Sequence, residues 1–477
     1  MERYNLIIIG AGPAGYESAI YAAKCGLKTM VIEKSQAGGT CLNKGCIPAK
    51  TLLQCAHTYS GAVNSEKFGV FHTDISYDEE KFYEYKDQVT SKLREGVELL
   101  LKQNGVFLCR GTARIISSLE VEVEGEEGKT CYSADHILIA SGSYPFVPPI
   151  PGADLPGVFT SDGLFENAGD YKRIVIIGGG VIGMEFAEYF TALQKEVIVI
   201  EALDRILAGM EKEISQSLSM IMKKRGTKIH TAATVKEIKV SEPLSVEKEV
   251  KTSEPLLVEF QDKNGLQSVC CDAVLVAVGR RSATDGLWSE EVDIKTSRGT
   301  ILIDKEGRTS VPGIWAAGDV AQGIMLAHYA AAAACNVVDA ICGKKPGRDL
   351  SLVPSCVYTE PEIACCGLTE AEATALGIPV KCGKYGTLAN SRSMISADDR
   401  GFIKLVVNAE TDRILGAQLM CSRASDMIME LAAAITNGLT VHDLANTIHP
   451  HPSYCEAVLE AAEDVNGMAI HIPPKRR

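Results

Sequence analysis

No stretch of this sequence approaches about 18 uninterrupted apolar residues, so it carries no candidate transmembrane helix. Positive charge is also in short supply. Lys and Arg number 48 against 61 Asp and Glu, a net charge of −13. A field of that sign disfavours nucleic acid and anionic membrane as partners. A targeting peptide is not expected, because the first apolar strand, residues 6–9, starts almost at Met1. The sixteen cysteines are too dispersed for a secreted disulfide scaffold. Most of them, Cys25, Cys131 and Cys335 among them, fall in apolar stretches and are expected to be buried, inert thiols. A metal site is not expected either, since His449 and His451 have no further ligand cluster nearby. What remains is a cytoplasmic globular protein whose 477 residues suffice for about three domains. The basic end, Lys475-Arg476-Arg477, reads as a solvated terminus.

One pair of cysteines stands apart. Cys41 and Cys46 flank Leu42-Asn43-Lys44-Gly45, directly after Gly38-Gly39-Thr40. On a regular helix they lie more than one turn apart. Only a distorted first turn lets the sulfurs meet, because a disulfide needs Cα atoms within about 7 Å. A pair held that way suits reversible redox chemistry rather than stapling.

The pair follows a unit that the chain contains twice. Residues 6–33 read as strand, Gly-rich turn, helix and strand, with Gly10, Gly12 and Gly15 in the turn and Glu33 at the end. Residues 174–201 repeat this with Gly178, Gly180, Gly183 and Glu201, each 168 positions further on. A strand before, a helix after and an acidic residue about 20 positions on make the full dinucleotide fingerprint. The first glycine permits the tight turn, the second admits a pyrophosphate, and the third packs helix on strand. The helix start offers free N–H groups to phosphate. Glu33 and Glu201 are expected to accept from ribose hydroxyls. Glu201 also repels a 2′-phosphate, so the second site should prefer NAD to NADP.

Other segments have simpler readings. Residues 137–139, 274–278 and 313–316 are strands running into glycine turns, the last reaching Gly318-Asp319. A small-residue helix follows at 327–340. Helical spacing of Phe82, Val89, Leu93, Val97 and Leu100 predicts a packed helix over 79–103. Residues 241–255 read as an exposed loop. From about 347 the chain turns to short strands (402–407, 414–420) and helices (427–436), an α+β piece.

Near the carboxyl end lies His449-Pro450-His451-Pro452-Ser453-Tyr454-Cys455-Glu456. The prolines push both histidines toward extended backbone. Glu456 has two readings. It can complete a capping box with Ser453, or it can hold a ring nitrogen of His451 so that the imidazole exchanges protons with a thiol.

Taken together these residues resemble the flavin-dependent disulfide reductase family, and most closely its dihydrolipoyl dehydrogenase branch. The match spans the chain and includes Gly38 to Asn43, Gly45-Cys46-Ile47-Pro48, Lys50, both fingerprints, Gly318-Asp319, Met325-Leu326-Ala327-His328, Pro361-Glu362-Ile363-Ala364 and His449 to Glu456. The resemblance implies an α/β fold: two Rossmann-like dinucleotide-binding domains plus a C-terminal α+β dimerisation domain. It divides the chain into 1–149 (first part of the FAD domain), 150–274 (NAD domain), 275–346 (completing the FAD domain) and 347–477 (dimerisation).

The implied activity is oxidation of dihydrolipoamide, carried on a lipoyl protein, with transfer of electrons through FAD to NAD. Another NAD(P)H-dependent disulfide reductase, of the glutathione-reducing kind, is the alternative. Cys41 is then the outer thiol that meets substrate, Cys46 the inner thiolate, His451 the base and Glu456 its holder. Cofactor contacts are implied at Gly10, Gly12, Pro13, Ala14, Gly15, Glu33, Lys34, Gly39, Thr40, Cys41, Cys46, Lys50, Gly111, Thr112, Ala140, Ser141 and Gly142. They continue at Gly178, Gly180, Val181, Ile182, Gly183, Glu185, Glu201, Gly279, Gly318, Asp319, Met325, Leu326, Ala327 and His328. Lys50 is implied to pair with Glu185. His451 is implied to come from the other subunit of a homodimer, and the client to be a 2-oxo acid dehydrogenase-type complex. Lys44, Ser453 and Tyr454-Cys455 depart from the residues usual at those positions.

Overall fold

The computed structural model describes residues 2–241, 255–398 and 400–473. The loop expected at 241–255 lies almost wholly outside the described residues, and so does the basic end. The chain forms two units, Met1–Ala202 with Gly226–Leu350, and Leu203–Arg225 with Ser351–Arg477.

Two sheets organise the first unit, one mixed, in which Thr112–Ser117 and Glu120–Gly125 add antiparallel beside Gly128–Ile139, and one wholly parallel. In the mixed sheet, the strand Arg3–Ile9 lies between Thr29–Glu33 and Gly128–Ile139, and Phe107–Arg110 extends the sheet beyond Thr29–Glu33. Ile314–Ala316 runs alongside the end of Gly128–Ile139. The register aligns Ile9 with Ile32 and with Ile139, and Ile139 with Ala316. Four strands therefore finish at one edge, which carries Gly10, Glu33, Ala140 and Ala317. Leu6 and Ile8 face one side of this sheet while Tyr4, Ile7 and Ile9 face the other, all buried. Burial on both faces explains the unbroken apolar run at 6–9. The helices Pro13–Lys24 and Ala327–Ile341 cover one face, and Ala14, Ala19, Ala22, Ala330 and Ala334 bring them close. The segment 313–316 thus belongs to the first sheet although it follows the second fingerprint.

The wholly parallel sheet runs Lys228–His230, Glu196–Ile200, Arg173–Ile177, Ala273–Val276, Val158–Thr160. An antiparallel meander, Thr234–Val240, Leu256–Asp262 and Gly265–Cys271, packs Ile238, Val258 and Phe260 into its core. The strand Ala273–Val276 crosses position 274, where a domain boundary was expected.

The second unit is built on a five-stranded antiparallel sheet in the order Ser355–Val357, Glu362–Gly367, Ile414–Cys421, Phe402–Asn408, Val380–Gly386. The helices Ala424–Thr436 and Glu456–Asp464 bury Ile428, Leu431, Val458 and Ala461 against it. The helix Lys212–Lys224 groups with this unit.

The helix Glu79–Gln103 has the expected bounds but only part of the expected face. Leu93 and Leu100 are exposed, whereas Tyr83, Lys86, Thr90, Val97 and Leu101 are buried. Polar side chains occupy that face because they meet carbonyls there. Tyr83 OH donates to Leu164 O at 2.9 Å, and Lys86 Nζ donates to Phe165 O at 2.6 Å. A buried polar group so satisfied costs little. The expectation of buried cysteines holds for Cys335 but not for Cys25 and Cys131, which are half-buried.

Candidate active site

The two glycine turns are the same structure built twice. Gly10 and Gly178 have φ of 105° and 108°, a region that L side chains avoid. A Cβ on Gly10 would stand 2.3 Å from Ala140 O, and one on Gly178 2.5 Å from Ala277 O. Each turn passes so close to the neighbouring strand that only glycine fits. Gly12 and Gly180 then open the helices Pro13–Lys24 and Val181–Ala192, and no side chain caps either start. Their first N–H groups are left for a ligand, and the helix dipole favours an anion there. Val181 and Ile182 lie in the first turn of the second helix.

Glu33 and Glu201 have a structural task that the sequence did not disclose. Ala11 N donates to Glu33 Oε2 at 2.8 Å, and Gly179 N donates to Glu201 Oε2 at 2.5 Å. Each carboxylate thus pins its own turn. Glu33 Oε1 also accepts from Ser35 N. A carboxylate has about four lone-pair positions, so ribose remains within its capacity.

The redox segment meets the first turn through Gly39. Its φ is 58°, and a Cβ there would lie 2.5 Å from Gly12 Cα. That backbone-to-backbone contact sets the short helix Gly39–Lys44, with Thr40 and Cys41, against the first fingerprint. The chain breaks at Gly45 (φ −152°, ψ −114°), and the helix Cys46–Val63 begins on the next residue. The break replaces the distorted turn expected from the spacing. It brings the two thiols into hydrogen-bonding contact. Both are free thiols, the reduced form of the pair.

Their acidities diverge. The hydrogen bond from Cys41 and the Lys50 ammonium together bring the Cys46 thiol down to about 7, against the opposing effects of burial and Glu185. Cys41 goes the other way, raised by its bond to Cys46 and by burial. One proton is shared by two sulfurs, and it rests on Cys41. Lys50 Nζ donates to both oxygens of Glu185, at 2.7 and 2.9 Å. Glu185 is 6% exposed and Lys50 32%.

The remaining expected residues, Gly279 apart, lie along the edge where the first sheet's strands finish. Ser141 Oγ donates to Ala283 O at 2.7 Å, Gly142 O accepts from Ala283 N, and Gly111 N donates to Glu33 O. Thr112 starts the next strand and Lys34 is exposed just past Glu33. Gly318 sits between Ala14 and Ala330, so the start of the helix Ala327–Ile341, with Met325 and Leu326 before it and His328 in its first turn, lies beside the first fingerprint. Gly279 follows the strand Ala273–Val276 with φ of 129°.

Asp319 is held by residues that sequence reasoning missed. Ser143 Oγ donates to Asp319 Oδ2 at 2.6 Å and accepts from Arg280 Nε at 2.8 Å, while Arg280 also donates to Ser143 O. The one available signal was Arg280 itself, a cation directly after the Val278-Gly279 turn. His57 and the fully buried Glu188, 3.3 Å apart, were missed as well, and nothing in their spacing marks them.

In the second unit, His451 Nδ1 lies 2.8 Å from Glu456 Oε1. Glu456 Oε2 accepts from Ser453 N at 2.8 Å. Burial would raise the Glu456 carboxyl, but the Ser453 N–H and His451 hold it below the usual range. Glu456 therefore holds the His451 ring and the Ser453 N–H at once. The helix begins at Glu456 with Cys455 at the N-cap, and Ser453 Oγ finds no partner among the described residues. The capping box fails because Ser453 lies two residues too early. His451 is 70% exposed, whereas the His449 ring is enclosed between Thr447 O and Glu430.

The FAD and NAD expectations survive a simple test of fit. Uncapped helix starts, turns that exclude any Cβ, and carboxylates at both strand ends are the features a dinucleotide requires.

Comparison with known proteins agrees. Residues 4–334 match the family described as pyridine nucleotide-disulphide oxidoreductase, and residues 353–462 match its dimerisation domain. The dihydrolipoyl dehydrogenase of Bacillus subtilis (strain 168) is 38% identical over 476 residues, covering 98% of this chain and 97% of the relative. That of Staphylococcus aureus is 38% identical over 469 residues, with the same coverage. Among solved structures, LpdA from Mycobacterium tuberculosis superposes with a TM-score of 0.88 at 25% identity, covering 97% of this chain and 99% of that one. The HOCl-induced flavoprotein disulfide reductase RclA from Escherichia coli, as its Cu(II) complex, gives 0.85 at 30% identity, covering 97% and 99%. With fold, motifs and full-length relatives in agreement, this chain belongs to the pyridine nucleotide-disulphide oxidoreductase family.

Proposed function

We propose that this protein is an NAD-dependent dihydrolipoyl dehydrogenase, oxidising dihydrolipoamide to lipoamide. The observation that carries the reading is the unequal thiol pair, Cys46 favoured as thiolate beside Lys50 and Cys41 held as thiol, set against the first glycine turn. FAD, when bound, would supply the acceptor for the electron pair of the reduced thiols and the donor to NAD. Gly10, Gly12, Gly15, Glu33, Gly39 and Gly318-Asp319 would hold the flavin nucleotide. Gly178, Gly180, Gly183 and Glu201 would hold NAD. Segments 1–149 and 275–346 carry the first cofactor in this reading, 150–274 the second, and 347–477 the subunit contact.

The chain's own residues do the sulfur chemistry. Glu456, ionised, can only accept, so the His451 proton sits on Nδ1 and Nε2 is left as the base. His451 takes a proton from one substrate thiol. That sulfur attacks Cys41 Sγ in the oxidised pair, the Cys41–Cys46 bond breaks, and Cys46 leaves as the more stable thiolate. The second substrate sulfur then displaces Cys41, which departs with a proton. One substrate proton ends on His451 and the other on Cys41.

The exposed His451 is a base offered outward, and we take the twofold-related subunit of a homodimer to receive it. The client is a lipoyl-bearing protein of a 2-oxo acid dehydrogenase, acetoin dehydrogenase or glycine cleavage complex, in a reducing cytoplasm. NAD-linked oxidation of dihydrolipoamide by the flavin-loaded protein tests the reading. Turnover with NAD well above that with NADP supports it, and no turnover with FAD bound rejects it.

A further inference from the structure

The helices Pro13–Lys24 and Ala327–Ile341 end alike. Cys25 is the C-cap of one and Cys342 of the other. A glycine of positive φ follows each, Gly26 at 88° and Gly343 at 69°. Leu27 N donates to Ala22 O and Gly26 N to Ala23 O; Lys344 N donates to Asp339 O and Gly343 N to Ala340 O. Both ends are thus Schellman closures. The helices pack through their alanines, so the two ends arrive together, and the Cys25 thiol is near enough to Cys342 to add to the rise that burial gives it. The turn at Gly343 also carries Lys344 Nζ to 3.5 Å from Cys25 Sγ. Both thiols are half-buried rather than sealed in the core, and Lys344 is exposed. The pair lies at the opposite end of these helices from the nucleotide-binding turn, and the dihydrolipoamide reaction has no use for it.

We propose that Cys25 and Cys342 are a second redox-active dithiol, a modification site oxidised to an intramolecular disulfide by low-molecular-weight disulfides. Among the described residues Lys344 Nζ donates to the Cys25 sulfur and not to that of Cys342, which makes Cys25 the first nucleophile. The Cys25 sulfur attacks one sulfur of the small disulfide, whose S–S bond breaks. One small thiol leaves with the proton that Cys25 has given up. Cys342 then attacks the Cys25 sulfur of the mixed disulfide as it loses its own proton. The Cys25–Cys342 bond forms and the second small thiol departs with that proton. The two cysteines are oxidised by one electron pair, and the small disulfide is reduced to two thiols. Burial raises the Cys342 thiol, which suits the resolving role rather than the first attack. Oxidation ties together, at their far ends, the two helices that begin at the nucleotide.

The test is thiol mapping of the holoenzyme. Protein is incubated with oxidised glutathione, remaining thiols are blocked with N-ethylmaleimide, and unreduced peptides are identified by mass spectrometry. The expected result is a Cys25–Cys342 cross-link. Cys342→Ser should replace it with glutathione on Cys25, and Lys344→Ala should slow Cys25 modification several-fold while the chain remains folded. The proposal is overturned if Cys25 and Cys342 both stay maleimide-labelled at a glutathione disulfide concentration that oxidises Cys41 and Cys46. It is overturned equally if Cys342 is modified before Cys25. Neither outcome depends on dihydrolipoamide turnover, so failure here leaves the proposed function standing.

Discussion

Lys50 and Glu185 form a two-bond ion pair beside the thiols, and the two ends of that pair act on Cys46 in opposite senses. The ammonium stabilises the thiolate and the carboxylate destabilises it. In the reduced native protein, alkylation of Cys46 by iodoacetamide, followed peptide by peptide, should therefore rise with a midpoint near pH 7. Lys50→Met removes the stabilising cation and should move the midpoint upward. A midpoint about one pH unit higher takes the thiolate fraction at pH 7 from about one half to about one tenth and slows alkylation there roughly fivefold. Glu185→Gln should move it downward. Displacement of both variants in one direction would mean that Glu185 acts by holding the lysine rather than through its own field.

Gly39 offers a purely steric test of how the redox segment meets the nucleotide turn. Gly39→Ala places a Cβ 2.5 Å from Gly12 Cα, on a backbone whose φ is 58°. Strain of that kind costs about 1–3 kcal/mol where the surroundings enforce it. Here it can be relieved by the segment moving away from the turn. The expected outcome is a chain that folds but loses flavin on desalting, read as the ratio of visible to 280 nm absorbance. Flavin retained at the native ratio would show that the Gly12–Gly39 contact is dispensable.

Glu201 joins two functions that separate substitutions can pull apart. Its carboxylate holds Gly179 N, and in the proposed function it also receives the ribose of NAD. Glu201→Gln keeps an acceptor for the turn but loses the charge. A hydrogen bond to a charged group contributes about 1.5–3 kcal/mol, so kcat/KM for NAD should fall roughly ten- to a hundredfold. The value for NADP should fall far less, because the repulsion of a 2′-phosphate is relieved at the same time. Steady-state kinetics with both nucleotides decides it, and an equal loss for both would assign Glu201 to the turn alone.

The sequence disclosed most of this where local chemistry is strict. Gly10 and Gly178 were legible because the chain passes against Ala140 O and Ala277 O, where no side chain fits. The duplicated spacing then predicted two sheets and both uncapped helix starts. Legibility failed where a residue's role depends on a distant partner. Lys86 and Thr90 were passed over on the helix Glu79–Gln103 because a polar residue reads as solvated unless one knows that a carbonyl such as Phe165 O awaits it. Ser143 and Arg280 lie 137 positions apart, and only the fold brings them to Asp319. Cys25 was read as inert because it falls in an apolar stretch, and the lysine that reaches its sulfur comes from position 344.

His451 and Glu456 make the sharpest prediction, because two variants should fail for different reasons. His451→Gln removes the base, and positioned proton transfer contributes about 10²–10⁴-fold, so dihydrolipoamide oxidation should fall within that range. NADH oxidation by an artificial acceptor, which requires no thiol proton transfer, should continue near the native rate. Glu456→Gln keeps a partner for Nδ1 but offers an NH₂ as readily as an oxygen, so the ring is no longer fixed with Nε2 as acceptor. The carboxylate is also the group that favours the imidazolium formed in the reaction. Its loss should lower the rate of dihydrolipoamide oxidation by less than His451→Gln does, while NADH oxidation by the artificial acceptor stays near native. A native rate of dihydrolipoamide oxidation in Glu456→Gln would reduce Glu456 to its bond with Ser453 N at the helix start.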